Sequence, residues 1–248
     1  MAGKGTYRTT AIVLDKTKLG EKDLILTLLG ASGRQIRAVA KGARRPGSRL
    51  AARCELCCEV DLLLARGKNL DVVSQAELLA APLGAQPGYE LLCAGAAVGE
   101  VARLCSDEGT EDPFVFAITE AALRYLPALD AAHLDLLCAA YIFKLLSHLG
   151  YRPDLSGCVL CGDGLPAFFS PAAGGLVCAS CAPSVAGAEP IGEVEAAWLR
   201  ALIGLRFDEL SACAVDAATA AGLLGRAHDW AATHLDARLR AVEFLLGR

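Results

Sequence analysis

Four cysteines in the second half of the chain have the types and spacing of a metal site. Cys158 and Cys161 form one C-x2-C pair, Cys178 and Cys181 form another, and 16 residues separate the two pairs. Each pair can present two thiolates from one tight turn, so two such turns can complete a tetrahedron around Zn²⁺. Because sulfur fills all four positions, no place remains for water or substrate. The spacing therefore predicts one structural zinc ion per chain.

Two other interpretations of these cysteines stay open. In the first, the four residues are simply buried thiols; in the second, they are dithiol pairs that exchange disulfides. No βαβ pattern of the thioredoxin kind surrounds either pair, which disfavours disulfide exchange. A further C-x2-C lies within Cys54, Cys57 and Cys58, but no partner pair or histidine is near it in the sequence. We expect these three thiols to pack in a strand or a core.

Basic side chains concentrate at the amino-terminal end of the chain. Residues 1–53 contain twelve Lys and Arg against three Asp and Glu, a net charge of +9. Residues 54–248 contain twelve basic and 25 acidic side chains, a net charge of −13. A basic head on an acidic body predicts polyanion binding at one end of the molecule, although a solvated basic surface is the alternative.

One segment indicates how the basic residues are presented. Over residues 35–41 a period of two places Arg37 and Lys41 on the face opposite the small apolar side chains, and a flexible Gly- and Arg-rich segment follows. Guanidinium groups in such a segment can track phosphates. The predicted central phosphate contacts are Arg37, Lys41, Arg44, Arg45 and Arg49, with Arg8, Arg34, Lys16 and Lys18 as flanking contacts. Tyr7 is the only aromatic residue before Tyr89, so binding should be electrostatic and indifferent to base sequence.

The elements that carry these residues form a small β-barrel in the prediction. Alternating, β-branched segments bounded by glycines predict five strands, at residues 6–15, 22–29, 33–41, 58–65 and 70–78. Five strands with a longer link after the third suit an OB-type Greek-key barrel, and a small SH3-like barrel is the alternative.

From Pro87 onward the apolar residues recur at helical spacing. The pattern predicts two helices after the barrel, one of which starts at Asp112-Pro113, and then helices over about 130–149, 193–205 and 217–246. The predicted fold class is α+β and multidomain. It consists of an OB-fold DNA-binding barrel at 1–80, an α-helical domain at 88–155 and 190–248, and a zinc-binding insertion with four cysteine ligands at 156–184.

Composition and motifs disfavour several classes of protein. The amino terminus lacks a secretory apolar region, and the apolar stretches are short, so we expect a cytoplasmic protein with reduced thiols and no membrane segment. A zinc deaminase needs an H-x-E beside P-C-x-x-C, and no H-x-E occurs. No compact Asp/Glu cluster lies in the basic segment to hold a nuclease's magnesium. We therefore expect no enzyme activity.

The order of these parts resembles the RecO family of bacterial DNA repair and recombination mediators. The resemblance rests on the segment Y-R-T-T-A-I-V-L at 7–14, the segment G-R-Q-I-R-A-V-A-K-G-A-R-R-P at 33–46, the helical body and the inserted cysteine pairs. It covers essentially the whole chain. Zinc cysteines are present in some members of that family and absent from others, so zinc here would stabilise the fold.

The resemblance implies a function. Members of that family bind single- and double-stranded DNA, anneal complementary strands, and act with RecR to load RecA onto DNA covered by single-stranded-DNA-binding protein. The resemblance thus implies that the protein is cytoplasmic and associated with the nucleoid. The alternative is an OB-fold and zinc protein that binds RNA, although RNA binders usually offer several aromatic rings and residues 158–181 contain no Lys or Arg.

Overall fold

The computed structural model describes residues 5–162 and 164–247. These residues divide into two compact units, and the division follows Pro127. Lys4, one of the basic residues of the amino-terminal region, lies outside the described residues. So do the predicted domain limits at residues 1 and 248.

The first unit contains a closed five-stranded barrel. Its strands are β1 (Thr6–Leu19), β2 (Asp23–Gly30), β3 (Gln35–Ala40), β4 (Glu59–Ala65) and β5 (Asp71–Ala80). The strand order is β1-β2-β3-β5-β4, and β4 pairs back onto β1 to close the barrel. All pairs are antiparallel except that of β3 with β5. This order is that of an OB-type barrel, so the predicted fold class is confirmed.

The barrel core follows from the alternation of side chains along the strands. Inward positions carry small or branched apolar residues, including Leu26 and Leu28 on β2 and Leu62 and Leu64 on β4, all fully buried. β1 continues four residues past the predicted end because its pairing with β2 extends to Leu19, after a register shift at residue 14. A β-bulge of this kind changes which side chains face the core.

One short helix in this unit was not predicted. Helix α1 (Arg49–Arg53) lies between β3 and β4, and the Ser48 hydroxyl caps it by accepting from the Ala51 amide at 3.4 Å. Five residues are too few to show a helical period, so the sequence pattern does not distinguish this helix from a loop.

Two longer helices complete the first unit. They are helix α2 (Tyr89–Leu104), whose N-cap residue is Gly88, and helix α3 (Pro113–Tyr125), whose N-cap residue is Asp112. The sequence places both helices in a helical domain that starts at residue 88, and in the structure they pack in the same compact unit as the barrel. α2 buries mostly Gly, Ala and Val, and a Cβ at Gly99 would lie 3.4 Å from the Leu14 carbonyl oxygen. Small residues thus let the α2 backbone approach β1 closely.

The second unit combines helices with a small sheet. Its helices are α4 (Ala131–His148), α5 (Glu193–Gly204), α6 (Phe207–Ser211), α7 (Ala217–Leu235) and α8 (Arg240–Leu246). The sheet consists of β6 (Pro166–Ser170), β7 (Gly175–Cys178) and β8 (Glu189–Pro190), in the order β7-β6-β8. Neither the sheet nor α6 was predicted.

The long helix predicted over 217–246 is two helices. α7 ends where Asp236 adopts a left-handed conformation with φ of 47°, and α8 starts four residues later. Aspartate is one of the few residues that tolerates this conformation, and one such residue is enough to end a helix. In the described part of the chain, every helix is too short or too polar to cross a bilayer.

Candidate nucleic-acid interface and metal centre

The four predicted metal ligands converge in the second unit. The Sγ atoms of Cys158, Cys161, Cys178 and Cys181 all lie within 4.8 Å of one another, and those of Cys161 and Cys178 are 3.7 Å apart. A tetrahedral zinc ion with Zn–S bonds of about 2.3 Å separates its sulfur ligands by about 3.8 Å. The cluster therefore has the donor type, the number and the spacing that zinc requires.

Backbone hydrogen bonds shape the two turns that carry the cysteines. In the first turn the Gly162 amide donates to the Cys158 carbonyl at 2.8 Å, and Gly162 has a φ of 77° that favours glycine. The same turn is joined to β7 because the Val159 amide donates to the Leu176 carbonyl at 2.8 Å. In the second turn the Cys181 amide donates to the Cys178 carbonyl at 3.1 Å.

Backbone hydrogen bonds favour the thiolate at Cys158, whereas hydrogen bonds with the Cys178 and Cys161 side chains raise the pKa of the Cys181 thiol to about 12. Hydrogen bonds from the backbone, first that of Cys178 and then those of Leu160 and Cys161, lower the pKa of the Cys158 thiol to about 6. Amides that point at a sulfur stabilise its thiolate, which is the form that binds a metal. All eleven cysteines are free thiols, so no disulfide competes for these sulfur atoms.

The metal cluster is tied to the core of the second unit through the small sheet. Phe169 on β6 is fully buried, and its ring centroid lies 5.5 Å from that of Trp230 on α7. The Trp230 indole N–H donates to the Tyr151 carbonyl at 3.0 Å. A change in the structure of the cysteine cluster should therefore alter the surroundings of the Trp230 ring.

The basic residues of β3 lie as the alternation predicts. Ala38 and Ala40 are fully buried in the barrel core, whereas Arg37 and Lys41 are exposed. Strand β2 lies beside them, and Thr27 is the cross-strand neighbour of Arg37. A short polar side chain at that position leaves the guanidinium accessible on the outer surface.

The segment after β3 is more ordered than the sequence analysis expects. The Gly42 amide donates to the Asp23 carboxylate at 2.7 Å, the Arg44 amide donates to the Lys22 carbonyl at 2.9 Å, and the Arg44 guanidinium donates to the Gly20 carbonyl at 2.7 Å. These bonds hold the segment against the β1–β2 turn.

This arrangement brings in a basic residue that the sequence analysis did not select. Lys22 is exposed and sits in the β1–β2 turn, to which Arg44 is bonded. The sequence signal that could have identified Lys22 is its position as a basic residue in the turn between two predicted strands. We call the exposed group of Arg37, Lys41, Arg44, Arg45 and Lys22 the basic face. Lys18 is exposed near the end of β1, but the strand register places it on the same face as Leu24 and Ala40, opposite to Arg37.

The other predicted flanking residues lie elsewhere on the first unit. Arg34 is exposed in the β2–β3 turn, at the end of β3 opposite Lys41. Lys16 is mostly covered and forms an ion pair with Glu55. Arg8 on β1 and Arg49 on α1 line a separate cleft over β4 and β5. The structure therefore does not bring all nine predicted residues together.

The single aromatic residue of the barrel is engaged by its own neighbours. The Tyr7 hydroxyl donates to the Asp71 carboxylate, and the Arg66 guanidinium lies 4.8 Å from the ring centroid. Burial, followed by the hydrogen bond to Asp71, raises the pKa of Tyr7 to about 12. Since the ring also packs against the barrel core, it is not available to stack on a base.

Comparisons with known proteins place the chain in a family. The family model described as "Recombination protein O N terminal" matches residues 1–82, and that described as "Recombination protein O C terminal" matches residues 87–243. The "DNA repair protein RecO" of Bifidobacterium longum is 40% identical over 176 residues, which cover 69% of this chain and 72% of that protein. The protein of the same name from Cutibacterium acnes is 39% identical over 210 residues, 80% of this chain and 82% of that protein.

The two family models adjoin closely, and together they include the barrel, the helices and the cysteine cluster. The strand order and the cysteine geometry agree with what the resemblance implies for fold and metal. The chain belongs to the recombination protein O (RecO) family.

Proposed function

We propose that this protein is a DNA repair and homologous recombination mediator. It binds single- and double-stranded DNA without sequence specificity, anneals complementary strands, and helps RecR to load RecA onto DNA coated with single-stranded-DNA-binding protein. The observation that carries the proposal is the basic face, which is exposed on an OB-type barrel in a chain of this family. The expected location is the cytoplasm, in association with the nucleoid.

The chemistry of the basic face suits annealing. Annealing requires two polyanions to approach each other while their Watson–Crick edges stay free. Arg37, Lys41, Arg44 and Arg45 offer exposed cations for phosphates, and Tyr7 is not available to hold a base by stacking. Arg34 and Lys18 are proposed as flanking contacts, and Lys16 should contribute least because of its pairing with Glu55.

The role of the metal in this proposal is structural. Cys158, Cys161, Cys178 and Cys181 would hold one zinc ion with four thiolates, which leaves no open position for a substrate. No covalent bond is made or broken in the proposed activity, so we do not propose a catalytic residue.

The proposal is tested by strand annealing. Two complementary DNA strands that carry a donor and an acceptor dye are each coated with the cognate single-stranded-DNA-binding protein, and energy transfer is followed at moderate salt without nucleotide. We expect wild-type protein to accelerate pairing and the Arg37→Glu, Lys41→Glu variant to lose the acceleration. Arg152→Glu, an exposed arginine of the second unit, is the control.

Two outcomes would count against the proposal. If the protein binds DNA but does not anneal it, the barrel is a nucleic-acid binder without the mediator role. If a competition assay shows a clear preference for RNA over DNA of equal sequence, an RNA-directed role replaces the proposal.

A further inference from the structure

A second group of arginines lines an open cleft of the first unit. Arg8 on β1 and both Arg49 and Arg53 on α1 line this cleft of about 790 Å³. Its other wall is formed by β4 and β5 and includes Asp61 and Glu77. Arg49 and Arg53 are one helical turn apart, so their Cβ atoms are about 6 Å apart on one side of α1. We call this site the arginine cleft.

The arginine cleft lies on a different side of the barrel from the basic face. β4, its central strand, is separated from β3 by β5 in one direction and by β1 and β2 in the other. With five strands sharing the circumference, two strands that are not neighbours are roughly 140° apart around the barrel axis. β5 borders both surfaces, but a polynucleotide bound along Arg37 and Lys41 leaves Arg8 and the β4 side of the cleft accessible.

The arginines of the cleft have guanidinium N–H donors that can bind an anion. The Arg8 side chain is 66% exposed, and its contact with Asp61 is a loose one of 3.8 Å. Exposed pairs of this kind contribute little, so phosphate can compete for the guanidinium. Arg49 is exposed and forms no ion pair with any residue of the described ranges. Arg53 donates to the Ala76 carbonyl at 2.8 Å, which uses one of its five N–H donors and holds it at the cleft wall.

The charges of the cleft favour a nucleic-acid strand over an acidic peptide. Three arginines face two carboxylates, so the net charge of the lining is only +1. The phosphates of a flexible strand can reach the arginines, while exocyclic amino groups of its bases can donate to Asp61 and Glu77. An acidic peptide side chain would meet the same arginines and, like a phosphate, would be repelled by both carboxylates, but it carries no amino group that can donate to them.

We propose that the arginine cleft binds a second nucleic-acid strand, more weakly than the basic face binds the first. The proposal rests on the proposed function and adds a separate site to it. With both sites filled, one barrel carries two strands, and pairing between them becomes an intramolecular event at a raised effective concentration.

The test counts strands on one molecule. Native mass spectrometry is performed with an oligodeoxycytidine too short to span both sites, and the number of bound strands per chain is titrated. We expect two strands on the wild type and one on the Arg8→Ala, Arg49→Ala variant, whose tighter binding step keeps its Kd. The Arg37→Glu, Lys41→Glu variant should lose the tighter step. Arg152→Glu carries the same change in net charge as the double alanine variant and should still take two strands.

The possible failures can be told apart. A wild type that takes one strand overturns the second site and leaves the proposed function standing, whereas a wild type that takes none overturns both. A second strand that persists in Arg8→Ala, Arg49→Ala overturns the assignment to the cleft. If an oligo-aspartate peptide binds the wild type, is lost from that variant, and no second strand binds, the cleft is a peptide site and the proposal is wrong. Circular dichroism and thermal unfolding show whether each variant is folded.

Discussion

The two units present their functional side chains in opposite ways. In the first unit the basic side chains point outward and are spread over a barrel, so each of them acts largely by itself. In the second unit four thiols converge to within 4.8 Å, and the site exists only if all four arrive together. A polyanion surface thus tolerates change at single positions, whereas a metal centre does not.

The largest effect that would test this contrast is loss of the metal. We expect one zinc per chain, measured by elemental analysis, and Cys178→Ser should remove it and unfold the second unit. Structural zinc contributes about 10–16 kcal/mol in small zinc domains, which is as large as the whole stability of a typical domain, about 5–15 kcal/mol. Both tryptophans, Trp198 and Trp230, lie in the second unit, so their fluorescence reports its unfolding selectively.

The control for that variant is Cys213→Ser, a cysteine of the same unit outside the cluster. It should keep both the zinc and the tryptophan signal. DNA binding by the first unit should survive Cys178→Ser if the units act separately. A protein that is free of zinc and fully folded would show that the cysteines are only packed thiols.

Charge reversal on the basic face should have the next largest effect. Arg37→Glu together with Lys41→Glu removes two charge-assisted contacts and adds repulsion, so we expect DNA affinity to fall about 10²–10⁴-fold at moderate salt. Fluorescence anisotropy with labelled single strands measures the loss, and single Lys41→Glu is compared with single Arg152→Glu at equal charge change. Affinity equal to that of the wild type would move the DNA site away from β3.

A backbone substitution tests whether the stability of the first unit depends on the close approach of Gly33 to Asp112, as the stability of the second unit is expected to depend on the metal. Gly33 has a φ of 82°, and a Cβ there would lie 1.8 Å from the Asp112 carbonyl oxygen. We expect Gly33→Ala to destabilise the first unit by about 2–4 kcal/mol, from strain and displacement of Asp112. Gly84→Ala, with a φ of 73° and no atom within 4 Å, should cost only about 1 kcal/mol.

Chemical denaturation of the two glycine variants, followed by circular dichroism, measures the difference. Equal losses for Gly33→Ala and Gly84→Ala would mean that the approach to Asp112 is not structurally important.

The smallest expected effects are opposite responses of the two units to alkaline pH. In the first unit the pKa of Tyr7 is raised to about 12, mainly by burial, so the folded state holds this proton more tightly than the unfolded state does. Its stabilising contribution is complete below pH 10 and is lost as the pH rises from about 10 to 12. Tyr7→Phe should remove that part of the decline.

In the second unit burial lowers the pKa of Lys144 from 10.5 to about 8, while its ammonium donates to the carbonyls of Ile203 and Leu205. The unfolded state then binds the proton more tightly, so this residue makes stability rise between about pH 8 and 10.5. Lys144→Met should abolish the rise. Urea unfolding at several pH values checks both variants, with tryptophan fluorescence for Lys144→Met and circular dichroism for Tyr7→Phe.

Some parts of the molecule could be predicted because neighbouring residues encode them. The alternation of Ile36, Ala38 and Ala40 with Arg37 fixes which face of β3 is buried, and Asp112-Pro113 marks the start of α3. The helix over 130–149 was predicted for the same reason, since Asp130 caps it and Gly150 follows it with a φ of 95°. The elements that were missed are short: α1, α6 and β6 have five residues each, β7 has four and β8 has two.

The sequence by itself determined the five strands of a small barrel, the cysteine quartet and the sign of the charge at the amino terminus, because each of these depends on types and spacings of residues close in the chain. The strand order that makes the barrel an OB type comes from the tertiary structure. Only the tertiary structure decided which basic residues share a face. Closure of the barrel places Arg8 and Arg49 in a cleft away from Arg37, and pairing with Glu55 covers Lys16. Contacts between residues far apart in sequence follow from strand order and packing, and no local pattern encodes them.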